Sequence, residues 1–118
     1  MRLHFDEKFD FNNLFIFEMA NNHQGSIEHG LRIVNEMADV AIKYGIRAAV
    51  KLQFRELDTF IHPHHRENKD NKHISRFIST RLKEEEFGAL VMETKKRGLI
   101  SMCTPFDESS VDKIERLG

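Results

Sequence analysis

The chain has 118 residues, with 18 Lys and Arg against 19 Asp and Glu, a formal charge of −1 and 40% hydrophobic residues. This length suits one domain or part of one, and the balanced charge argues against a nucleic-acid surface or a polybasic membrane patch. No apolar run approaches the ~20 residues of a membrane span. The N-terminal MRLHFDEKFDF has acids where a signal peptide has an uncharged centre. One cysteine, Cys103, leaves no intrachain disulfide framework and fits a reducing, cytoplasmic setting.

In chain order, Leu14 to Met19 reads as a strongly apolar strand. It turns abruptly into Glu18, two amides, a histidine and Gly25. Ser26 then provides an N-cap for a long helix running to about Tyr44. Leu31, Val34, Met37, Ala38, Ala41 and Ile42 recur at helical spacing as its buried face, and Gly45 stops it. Ala48 to Phe54 is the second strand. The stretch Arg55 to Arg81 is polar and long, with at most a short helical turn at Ile74 to Ile78; loops of this length are usually functional or mobile. A helix from Lys83 to Lys96 has acids at its start and bases at its end, complementing the helix dipole. Phe87, Leu90 and Val91 are its core residues. Leu99 to Thr104 forms the third strand, Pro105 bars its continuation, and Asp107 caps a last helix carrying Val111, Ile114 and Leu117 on one face.

Repeated strand–loop–helix units imply a parallel sheet with right-handed crossovers. The strands are apolar enough for burial on both faces, yet one helix layer is all that this chain supplies. The expected fold class is therefore α/β, the N-terminal portion (about three βα units) of a TIM (β/α)8 barrel. Residues 1–118 are read as a fragment ending at an element boundary before a fourth strand.

In such a barrel ligands are handled at the C-terminal ends of the strands. Side chains alternate across a strand, so Ile16 and Glu18 share a face, as do Ala49, Lys51 and Gln53. Thr104 ends the third strand in the equivalent place. Barrel closure aims Glu18, Lys51, Gln53 and Thr104 at one cavity. Lys51 suits a phosphate or carboxylate, or a Schiff base if desolvated. Glu18 suits a sugar hydroxyl or a proton transfer, and Thr104 suits a phosphate oxygen. A Glu18–Lys51 ion pair that merely joins two strands is the structural alternative. Asn21, Asn22, His23 and Gly25 form a turn by default, with His23 also available as donor, metal ligand or acid–base group. His62, His64 and His65 lack the spacing of a zinc site. Cys103 reads as a small buried hydrophobe.

The segments FIFEMANNHQGS, AAVKLQF and CTPFDESSVDKIERLG together resemble the N-terminal part of the sialic acid synthase family, from about Leu14 to Gly118. The resemblance implies a (β/α)8 barrel that condenses phosphoenolpyruvate with an N-acetylated hexosamine to give a nonulosonic acid and phosphate, for surface polysaccharide. By matching position, Lys51 and Thr104 bind phosphoenolpyruvate, and Glu18 and Gln53 face the sugar or the attacking water. Asn22 and His23 join the substrate-binding set. The resemblance also implies a divalent metal, Mn2+ or Mg2+, held by histidines of later strands outside this chain, and a homo-oligomer, a dimer, at full length. No metal ligand is assigned here. Met19-Ala20 departs from the family's frequent Ile-Gly and leaves the sugar open. The fragment alone is expected to be inactive. Two other readings stand beside this one: a Schiff-base aldolase using Lys51, and a non-catalytic α/β module binding an anion or a protein.

Overall fold

The computed structural model describes residues 8–118, so most of the N-terminal segment read against a signal peptide lies outside the described residues. Strands β1 (Leu14–Ala20), β2 (Arg47–Phe54) and β3 (Ile100–Pro105) form one parallel sheet in the order β1-β2-β3. Helices α1 (Ile27–Tyr44) and α4 (Glu84–Lys96) make the two crossovers, and α5 (Glu108–Leu117) follows β3. This is the α/β arrangement expected of consecutive barrel units.

Alternation decides which side of the sheet is covered. Ala48, Val50, Leu52 and Phe54 join Met19, Val34, Ala38, Phe87, Leu90 and Leu99 in one buried cluster between sheet and helices. Phe17 and Cys103 pack against it from the flanking strands. Burial pushes the Cys103 thiol up to about 12, with the Glu18 carboxylate adding to the shift; it is apolar filler at the margin of the core, partly buried where full burial was expected.

The caps of α1 follow the sequence. The Ser26 side chain accepts from His29 N–H, and Gly45 adopts the left-handed conformation with φ 59°. Its buried stripe is Gly30, Val34, Ala38 and Ala41, so Ile42 is a correction: it is 67% exposed. One residue past Ala41 is roughly 100° further round the helix, which carries Ile42 off the margin of the stripe. Phe15 is likewise half exposed, at the start of the sheet's β1 edge.

Residues 55–81 are a second correction, because they hold far more structure than one short turn. They form α2 (Leu57–Phe60), a 3-10 turn (Pro63–His65) and α3 (Lys72–Ser79). The Asn71 side chain caps α3 by accepting from His73 and Ile74 N–H. An isolated eight-residue helix is unstable in water. Tertiary contacts hold this one: Phe77 packs edge-on to Phe60 at 5.9 Å.

Leu90 is fully buried at the centre of the helix–sheet layer, and its Cδ2 lies 2.9 Å from where a Gly30 Cβ would project. Leu90→Ala is expected to lower stability by about 2–5 kcal/mol through lost burial and the cavity left behind, measured by denaturant unfolding.

Candidate functional site

The central strand sets the site. In register, Glu18 lies beside Lys51 across β1–β2, and Gln53 beside Thr104 across β2–β3. The four side chains that the sequence singled out are therefore neighbours on the face away from the helices. A register shift between Glu18 and Ala20 ends the regular ladder of β1 just past the glutamate and turns the chain into its loop.

Lys51 Nζ is 3.0 Å from Glu18 Oε2, with the side chains 35% and 43% exposed. A pair this open to solvent is worth at most about 1 kcal/mol, so an incoming anion can replace Glu18 on Lys51 at little cost. Gln53 Oε1 accepts from Arg55 Nη2 at 3.1 Å, which leaves the Gln53 amide hydrogens for another acceptor.

The loop after β1 is built from its own polar groups. Asn22 Nδ2 donates to Met19 O at 2.8 Å, and Gly25 N–H donates to His23 Nδ1 at 3.1 Å. Because Nδ1 accepts, the neutral ring carries its proton on Nε2. His23 is 1% exposed and meets the edge of Phe87 at 6.1 Å. Gly25 sits at φ 75°, and a Cβ there would come within 2.9 Å of Ser79 O. The loop thus packs tightly on the end of α3, an approach that needs glycine.

Sequence reasoning missed Arg55. Continuing the alternation Ala49, Lys51, Gln53 by one more step points to it. Two rings stack on its guanidinium, with Cζ 3.8 Å from the centroid of Phe106 and 4.4 Å from that of Phe77. Both partners are remote in sequence, so no local pattern announces the stack. Burial draws the Arg55 pKa below its ordinary value. Glu56, next in sequence, is a hub: its carboxylate meets Lys113 and Arg81, and its N–H donates to Asp107 Oδ2 at 2.8 Å. Asp107 Oδ1 accepts from both Ser110 N–H and Ser110 Oγ, so one carboxylate caps α5 and ties it to the end of β2.

Among the described residues no group of three or more His, Cys, Asp or Glu is placed to hold a metal ion. His62, His64 and His65 cluster, with ring centroids 4.9 and 6.0 Å from His62, and His62 Nδ1 accepts from His64 N–H. The described residues do not by themselves fit the metal that the resemblance implies. Among the described residues no helix is long and apolar enough to cross a membrane.

Polar side chains gathered at the C-terminal ends of consecutive parallel strands define the opening units of a β/α-barrel enzyme fold. The NeuB family model matches residues 37–118, more than half of the sequence, and the chain belongs to that family. A crystal structure from Chromobacterium violaceum ATCC 12472, described as spore coat polysaccharide biosynthesis protein E, is 46% identical with TM-score 0.86, over 91% of this chain and 32% of that one. The N-acetylneuraminic acid (sialic acid) synthetase of Leptospira borgpetersenii serovar Hardjo-bovis, solved with citrate, shares the fold at 22% identity and TM-score 0.69, over 90% of this chain and 33% of that one. The chain therefore spans about a third of the length of these relatives. No curated protein matches it.

Burial lowers the His23 pKa from 6.5, opposed by the Glu86 carboxylate and aided by His29. The unfolded chain then binds more protons at mildly acid pH, so stability rises with pH there. The contribution of His23 is complete above pH 6.5 and is lost as pH falls through the lowered value. His23→Asn places Oδ1 where Nδ1 accepts from Gly25 and removes the titration. Thermal melts from pH 7.5 to pH 5 are expected to fall less steeply in this variant than in the parent.

Proposed function

We propose that this chain supplies the N-terminal part of a sialic acid synthase-like transferase. The complete enzyme joins phosphoenolpyruvate to an N-acetylated, ManNAc-like hexosamine, giving a nonulosonic acid and phosphate for surface polysaccharide. The observation that carries the reading is the row Glu18, Lys51, Gln53 and Thr104 across three adjacent strand ends in a NeuB-family chain.

On this reading Lys51 leaves Glu18 to pair with the anionic phosphoenolpyruvate, and the Thr104 hydroxyl donates to the same ligand. Glu18, freed of its partner, and the amide hydrogens of Gln53 face the sugar and the attacking water. The enol carbon bonds to the sugar's aldehyde carbon, whose oxygen takes up a proton. Water then adds to the resulting cation and loses a proton; the carbon–oxygen bond to phosphate breaks, and the new hydroxyl gives its proton to the departing phosphate as the ketone forms. Fixed charges and donors stabilise such charge separation most when held in place beforehand. A divalent cation, Mn2+ or Mg2+, belongs to the complete enzyme, with its ligands outside this chain. The aldolase alternative rests on Lys51 alone, and no contact of Lys51 favours it.

The test uses a chimera in which residues 1–118 replace the matching third of the 46% identical Chromobacterium violaceum protein, with the intact protein as control for the choice of sugar. With phosphoenolpyruvate, an N-acetylhexosamine and Mn2+, the chimera is expected to release phosphate, and the 118-residue chain alone to release none. Lys51→Ala in the chimera is expected to slow release by about 100-fold or more. A folded chimera that releases no phosphate with any sugar accepted by the control counts against the reading.

A further inference from the structure

Two buried side-chain nitrogens are without a hydrogen-bond partner among the described residues: His23 Nε2 and Arg55 Nε. Both residues line one small cavity of about 30 Å3, shared with Asn21, Gln53, Thr80 and Arg81. Buried polar groups are nearly always satisfied, so two orphans in one cavity wall call for an explanation.

Both orphans are donors. His23 Nδ1 is taken by Gly25 N–H, which leaves the proton on Nε2, and an arginine Nε always carries one. No acceptor among the described residues lies within hydrogen-bond reach of either one. The charge balance has the same sign. Arg81 is paired with Asp58 and Glu56, whereas Arg55 has no carboxylate partner among the described residues. Phe77 and Phe106 both stack on its guanidinium, so the further polar contacts of Arg55 lie in the plane of its N–H fork. There Nη2 donates to Gln53 Oε1, and among the other N–H groups of the fork Nε–H is the one that is buried without a partner. A partly buried cation without a counter-charge is costly.

We propose that this cavity is a carboxylate-binding site, in which one carboxylate oxygen accepts from Arg55 Nε–H and the other from His23 Nε2–H. The volume suits it: one water-sized oxygen needs roughly 10–15 Å3 of such space, so about 30 Å3 admits the two oxygens of a single carboxylate. The site is distinct from the Glu18–Lys51 pair and is joined to it through Gln53, whose amide oxygen holds Arg55 in place. The inference does not depend on the reaction proposed above.

Acetate is the probe. It is titrated into the 15N-labelled 118-residue chain while the Arg55 Nε–H and His23 Nε2 resonances are followed, with acetamide as the neutral control of the same shape. The same titration in the chimera serves if the isolated chain self-associates. Saturable shifts of both resonances with acetate, at least tenfold weaker in Arg55→Met, support the site. The wild-type chain decides the matter even if that variant does not fold. Absence of saturation overturns the proposal, as does an equal response to acetamide. Tighter saturation by inorganic phosphate overturns the assignment to a carboxylate.

Discussion

The parallel register of β2 with both its neighbours is the constraint on which the rest of the molecule depends. It places Glu18 beside Lys51 and Thr104 beside Gln53. The same alternation sends Ala48, Val50, Leu52 and Phe54 into the helix-covered core. A slip of one residue exchanges the two faces of the strand, burying Lys51 and Gln53 against α1 and α4 while exposing four apolar side chains. The cost of burying an unpaired ammonium far exceeds anything the helices could return. Hydrophobic burial on one side of the strand thus enforces the polar row on the other.

Loop structure converts that row into a shaped surface. The segment after β2 folds back as α2 and α3, and Phe77 and Phe106 both stack on Arg55. Gly25 lets the first loop approach the end of α3. The first and second loops and the residues after β3 therefore meet around one half-buried arginine and one buried histidine. That meeting packs the loops against one another beside the strand ends, which suits a site whose polar groups must be aligned in advance.

Much of this was legible in the residues themselves. Ser26 and Gly45 bracket α1 by local chemistry, and period-two alternation in AAVKLQF separates core from site without reference to any distant contact. The family motifs added the barrel and the likeness to sialic acid synthases. What remained hidden depends on tertiary contacts. The polar run KDNKHISRF conceals α3, whose N-cap Asn71 is a local signal, but whose stability comes from Phe60, Arg55 and the first loop. Arg55 lay one step beyond the strand's apparent end, and its partners are remote in sequence. Ile42 fits the helical period numerically, yet the angular width of the covered stripe excludes it. Periodicity orders residues round a helix and leaves unstated how wide its neighbour is.

The Asp107 carboxylate, with one oxygen on Glu56 N–H and the other on Ser110, has a consequence for how the chain opens. Displacing the Asp107 side chain breaks the cap of α5 and the anchor at the end of β2 in the same event. These two regions, 51 positions apart in sequence, therefore form one cooperative opening unit. Hydrogen exchange at the Glu56 and Ser110 amides is expected to follow one opening free energy, so the first turn of α5 reports on the order of the strand end that bears Gln53.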